Sequence, residues 1–151
     1  GYDVNETRVI DTIRVSDTLF YKLIDSYSRD KIAWFLYKDS EGNIWAKDSL
    51  SGPSNLYQKK RTKDLDYVHH LLESTDSSRV SFDLVDTIEV PAGIFECLRF
   101  KIIPLDDTTI PPHYEWYSKG VGLIKRWAEI KEINGVGETL IKAKVNGVKY
   151  P

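Results

Sequence analysis

Residues 79–103 read RVSFDLVDTIEVPAGIFECLRFKII, and their reading decides the fold. Val80, Phe82, Leu84, Ile88 and Val90 recur in a two-residue rhythm, with Arg79, Ser81, Asp83, Thr87 and Glu89 mostly on the opposite side. A period of two marks an extended strand, because successive side chains of a pleated backbone point to opposite faces. Pro91-Ala92-Gly93 then breaks the rhythm. Proline presets its own φ and glycine accepts a positive one, so the chain turns tightly and Ile94 to Ile103 returns as a second strand. A β-hairpin is expected here.

The same grammar extends outward. Thr7 to Val15 and Thr18 to Tyr27 flank Ser16-Asp17, with Val9, Ile13 and Val15 expected on one face, and Leu19, Tyr21 and Leu23 sharing one face of the partner. Lys31 to Lys38 is aromatic and β-branched, Ser40-Glu41-Gly42-Asn43 reads as a loop, and Ile44 to Leu50 continues the pattern. Near the C-terminus, Gly120 to Ile130 is rich in strand formers and Asn134-Gly135 is a turn signal. Glu138 to Val145 sets Ile141, Ala143 and Val145 opposite Lys142 and Lys144, and Asn146-Gly147 offers one more turn. Pro104 to His113, with three prolines and adjacent aspartates, is expected to be an exposed loop.

Only Lys63 to Ser74 reads as helical, with Leu65, Val68, Leu71 and Leu72 at helical spacing and Asp64 and Asp66 in the first turn, where the helix dipole favours anions. One helix against about eight strands predicts a mainly β fold. Ile32, Trp34 and Leu36 set against Ala33, Phe35 and Tyr37 put apolar groups on both faces, so part of the sheet is expected to be covered on both sides. A curved sheet around the helix, a closed barrel and a two-sheet sandwich all meet that demand. The expectation adopted is a single domain, residues 1–151, built as a curved antiparallel meander. It is a half-barrel or open barrel with the short helix against its concave face.

Composition narrows the function. At 151 residues the chain can bury roughly two-thirds of its unfolded surface in one core. With 41% apolar and 29% charged residues it is globular rather than disordered. A net charge of -2 provides no positive field for nucleic acid, and Lys59-Lys60-Arg61 with Lys63 reads as a solvated basic strand end followed by Asp64 and Asp66. No apolar run reaches the roughly 18 residues of a membrane helix, and residues 1–30 lack the apolar core of a signal peptide. Gly1 at the start and the absence of any Met point to a processed or trimmed chain, with any membrane contact made through a preceding anchor.

The chemistry-bearing residues are few. Cys97 is the single cysteine, which excludes an intrachain disulfide and a cysteine metal cage. Its strand setting, Ile94-Phe95-Glu96-Cys97-Leu98, suits a buried thiol better than a nucleophile. His69 and His70 sit side by side on the expected helix, diverging by about 100°, and cannot share a metal. His113 in the proline-rich loop reads as a surface histidine, and Asp106-Asp107 as a solvated pair. Gly120-Val121-Gly122 lacks the third glycine, the Lys-Ser/Thr pair and the helix onset of a phosphate cradle, and reads as a bulge or crowded strand. No catalytic residue, metal ligand or cofactor site is therefore assigned.

The remaining signal is aromatic: four Trp, nine Tyr and five Phe. Such rings ordinarily fill a β core, and in an incompletely filled curved sheet they would line an apolar groove. Trp34, Phe35, Trp45, Phe82, Leu98, Phe100 and Trp116 are the candidate liners.

Two stretches carry a resemblance. Val90-Pro91-Ala92-Gly93-Ile94-Phe95-Glu96-Cys97 and Trp116-Tyr117-Ser118-Lys119-Gly120-Val121-Gly122-Leu123-Ile124-Lys125 resemble a group of uncharacterised bacterial cell-envelope proteins, many predicted to be lipoproteins, with a VPAG-x-F turn and a later GVG-L-[IV]-K. The match covers roughly the C-terminal half. Those domains look similar to lipoprotein-carrier half-barrels, in which a curved sheet shelters acyl chains. The resemblance implies an extracytoplasmic, cell-envelope address and a lipidated cysteine upstream of Gly1. The functional expectation is a non-enzymatic domain binding a lipid, acyl chain or hydrophobic peptide. The alternative is a structural or protein-interaction module of the envelope using an exposed strand edge.

Overall fold

The computed structural model describes residues 6–25, 33–70, 76–128 and 136–150. The chain divides into two compact units, Gly1–Lys60 and Arg61–Pro151. Every described element is a β-strand, and every strand pair is antiparallel. Where the sequence reading draws one sheet, the hydrogen bonds make three open ones.

In the first unit β1 (Thr7–Val15), β2 (Thr18–Asp25), β3 (Trp34–Lys38), β4 (Ile44–Lys47) and β5 (Asn55–Gln58) pair in chain order. Ser16, at φ 52, and Asp17 make the two-residue turn between β1 and β2. A bulge between Val9 and Asp11 alters the expected facing. Val9 lies opposite Leu23 and Ile13 opposite Phe20, so Val9 points away from Ile13 and Val15. Phe20 and Leu23 are both buried, on opposite faces, and Phe20 meets Tyr37 edge-on at 5.2 Å. Lys31 and Ile32, placed in the second hairpin by sequence, lie outside the described residues. The strand begun at Ile44 stops at Lys47, not Leu50. The Ser49–Gly52 turn then returns the chain as β5, whose Asn55-Leu56-Tyr57-Gln58 carries too little alternation to be read beforehand.

In the second unit β6 (Asp66–His70), β7 (Ser77–Val90), β8 (Gly93–Pro104), β9 (His113–Ser118), β10 (Gly122–Ala128) and β11 (Val136–Thr139) again pair in chain order. β12 (Ala143–Val145) and β13 (Val148–Tyr150) form a separate hairpin. Its turn, Asn146-Gly147, has φ of 49° and 81°, the double positive pair of a type I′ turn.

Three expectations are corrected here. The helix over Lys63 to Ser74 is absent from its described part, where Asp66–His70 is strand. Leu65, Tyr67 and His69 also alternate with period two, and pairing with β7 outweighs a helical spacing that only four leucine and valine positions supported. Residues 71–74 of that stretch lie outside the described ones. The second correction concerns β7, which does not present one apolar face. A bulge between Phe82 and Leu84 sets Val80 and Phe82 opposite Ile102 and Phe100, whereas Ile88 lies opposite Phe95 on the other side of the sheet. The third concerns Glu138 to Val145, which is not one strand. β11 ends at Thr139, and the Leu140 backbone donates to Ile124 and accepts from Ala92. The Asn134-Gly135 turn lies outside the described residues.

The long β7–β8 ribbon therefore serves two cores. Toward the turn, Val90, Ala92, Phe95 and Cys97 gather with Trp116 and Ile124 on one face, joined at the edge by Leu140 and Tyr150. Toward the open end, Val80, Phe100 and Ile102 gather on the other face with Leu65, Tyr67, Phe82, Leu98 and Tyr117. Burying each large apolar side chain is worth roughly 1.5–3 kcal/mol, so both clusters matter to stability.

Candidate functional site

The seven aromatic and aliphatic candidates do not share one surface. Trp34, Phe35 and Trp45 belong to the five-stranded sheet, where register puts Phe35 and Trp45 on one face and Trp34 on the other. Trp34 packs against Tyr57 at 5.6 Å. In the six-stranded sheet, Phe82, Leu98 and Phe100 do come together, on one face. Trp116 lies on the opposite face, 7% exposed, with its Nε1 donating to Asp86 at 3.0 Å. Phe100 has no exposed surface and is packing rather than lining.

Around Phe82, Leu98 and Phe100 the structure adds a charged centre that composition concealed. Glu115 of β9 lies opposite Phe100 and is buried. Its carboxylate accepts from Arg126 Nη2 at 3.0 Å and from the Tyr117 hydroxyl at 3.2 Å. Arg61 Nη2 stands 3.8 Å away, its side chain only 11% exposed, and its guanidinium covers the rings of Phe100 at 5.3 Å and Tyr117 at 4.9 Å. Burial, reinforced by Glu115, pushes the Tyr117 phenol up to about 12. Arg61 was read as part of a solvated basic cluster. Its neighbours in sequence gave no sign that it alone turns inward, since a cation stacks on an aromatic face only once the register has assembled that face.

On the other face a second set of cations interleaves with rings. Lys125 stands over Trp116 and Trp127, and Arg99 over Tyr114 and Trp116 while pairing with Asp83 at 2.6 Å. These groups brace the sheet; they bring no nucleophile and base together.

The titratable candidates are dispersed. Cys97 is 1% exposed, and burial, with Asp86 and Glu96 adding to it, pushes its thiol up to about 11. His69 and His70 are neighbours on a strand, not a helix, and face opposite sides. His113 opens β9 and is half-buried rather than a surface residue; burial lowers its pKa, Glu115 opposes that, and Arg126 adds to it. Asp106 accepts from the Ser77 backbone and, at 3.1 Å, from its hydroxyl, which ties down the exposed Leu105–Ile110 loop. Among the described residues no three His, Cys, Asp or Glu side chains are grouped to hold a metal ion. Gly120 and Gly122 take φ of 78° and 107°, values that form a tight turn into β10 and explain the glycine pair without a phosphate.

A further accessible apolar feature lies in the other unit. β1 is an edge strand, exposed at nearly every position, with Val9, Ile10 and Val15 at 50%, 45% and 48%. Compared with protein-family models, curated proteins and solved structures, the chain finds no match.

Proposed function

We propose that this chain is a non-enzymatic, extracytoplasmic module that works by offering the β1 edge to an extended segment of another envelope component. The observation that carries this reading is β1 itself: nine residues long, unpaired on its outer side within the described strands, with Val9, Ile10 and Val15 left exposed. An edge of this length presents a row of free N–H and C=O groups, which a partner strand completes. Arg8, Asp11 and Arg14 interrupt the strand, favouring a partner with complementary charges over indiscriminate stacking. The VPAG-x-F and GVGLIK resemblance supports the envelope address.

The test is site-specific photocrosslinking in intact cells. A crosslinker at Ile10 should yield one defined adduct, and the same group at buried Ile124 none; replacing Val9 with Pro should abolish the Ile10 adduct. Folded protein that gives no adduct anywhere along β1 would sink the reading.

A second reading is acyl-chain or hydrophobic-peptide binding in a carrier-like half-barrel. It is favoured by the convergence of the partly buried Phe82 and Leu98 with Tyr67 and Tyr117. Saturable displacement of a fluorescent fatty acid from delipidated protein would support it, and failure of displacement removes it.

A further inference from the structure

Arg61 is the one described residue whose buried side-chain nitrogens lack hydrogen-bond partners: Nε and Nη1 are both enclosed and make no hydrogen bond among the described residues. A buried charged donor without an acceptor is unfavourable, because it has given up water and gained nothing in exchange. The segment that carries it, Arg61–Leu65, folds back over the Phe100 face. Leu65 donates to the Thr62 carbonyl at 3.2 Å and accepts from the Phe82 N–H at 2.9 Å, and its side chain joins the Val80, Phe100 and Ile102 cluster.

We propose that Arg61–Leu65 is a displaceable strap over the Phe82, Phe100 and Tyr117 face, held down by Leu65 and loosened by Arg61. The two ring contacts, the hydrogen bond to Tyr117 and the 3.8 Å approach to Glu115 compensate the guanidinium in part, while its two enclosed donors, Nε and Nη1, oppose closure. Glu115 does not depend on Arg61, since it keeps Arg126 at 3.0 Å and Tyr117 at 3.2 Å. Lifting the strap thus lays open an aromatic face while leaving no orphaned carboxylate beneath it. This device is independent of the β1 edge.

Native-state hydrogen exchange on the full chain tests it, read at the Leu65 and Phe82 amides against Phe95 and Ile88 in the β7–β8 ribbon. In the wild type the strap amides should exchange at least about tenfold faster than the ribbon, reflecting local opening. R61M keeps the length of the stem and removes the unmet donors, so it should slow the strap amides about tenfold and leave the ribbon unchanged. L65A should speed them and raise binding of an apolar dye without loss of the β circular-dichroism signal. Two results overturn the proposal: strap amides that exchange together with the ribbon, or an R61M strap that opens faster than wild type, which would make Arg61 a holding residue.

Discussion

Asp39 shows how one carboxylate can organise a turn. It accepts from the Trp45 indole at 2.8 Å, from the Glu41 and Asn43 backbones at 2.9 Å each, and from the Asn43 side chain at 3.1 Å. The indole bond leads in lowering its pKa from the ordinary 3.8 to about 2, with burial opposing and the turn amides adding to the effect. A depressed folded-state value means that the stabilisation is complete above about pH 4 and fades as pH falls toward 2. D39N should lower the melting temperature of the five-stranded unit by a few degrees at pH 7, and its melting should depend less on pH between 4 and 2, followed by Trp45 fluorescence. Cys97 makes a different forecast. With its thiol near 11 it carries little thiolate at neutral pH, so alkylation of the native protein at pH 8 should run roughly two orders of magnitude slower than that of a free cysteine and recover on unfolding.

At the level of elements, the bulge in β7 governs which side chains meet. Removing Asp83 would restore an unbroken alternation and force either Phe82 or Ile88 onto the wrong face. Deletion should destabilise the six-stranded unit by more than about 3 kcal/mol in urea unfolding. D83N, which loses only the pairing with Arg99, should stay within about 1 kcal/mol of wild type. Gly137 sets a second constraint: a Cβ there would collide with the Arg126 carbonyl oxygen and stand 2.7 Å from the Trp127 ring. G137A should therefore cost roughly 1–3 kcal/mol and loosen the β10–β11 pairing, visible as faster amide exchange along β11. The hairpins at Ser16-Asp17 and Pro91-Ala92-Gly93, and the turn at Asn146-Gly147, were legible because their turn residues are local chemistry. The bulges at Ile10 and Asp83 were not, since an extra residue leaves no mark on alternation until a partner strand is aligned beside it. β6 was misread for a related reason: Leu65 fits two periods at once, three residues from Val68 and two from Tyr67, and only the Tyr67–Val80 pairing chooses between them.

For the whole molecule, the four tryptophans divide evenly, Trp34 and Trp45 in the first unit and Trp116 and Trp127 in the second. Each unit has its own sheet, so urea unfolding should resolve into two transitions. W34F/W45F should retain only the fluorescence change of the Arg61–Pro151 unit, and W116F/W127F only that of Gly1–Lys60. Coincident midpoints in both variants would show a single cooperative body instead. The candidate site was legible only in part: the Phe82, Leu98 and Phe100 group could be drawn from the β7–β8 alternation, but Glu115 and Arg61 could not, because neither charge announces burial in its own neighbourhood. The strand order has a consequence for biogenesis. After the first strand of each large sheet, every strand hydrogen-bonds to the one synthesised just before it, so no segment need wait for a distant mate. A polypeptide of this kind can emerge end-first from a narrow channel and zip up as it appears, one ribbon after another.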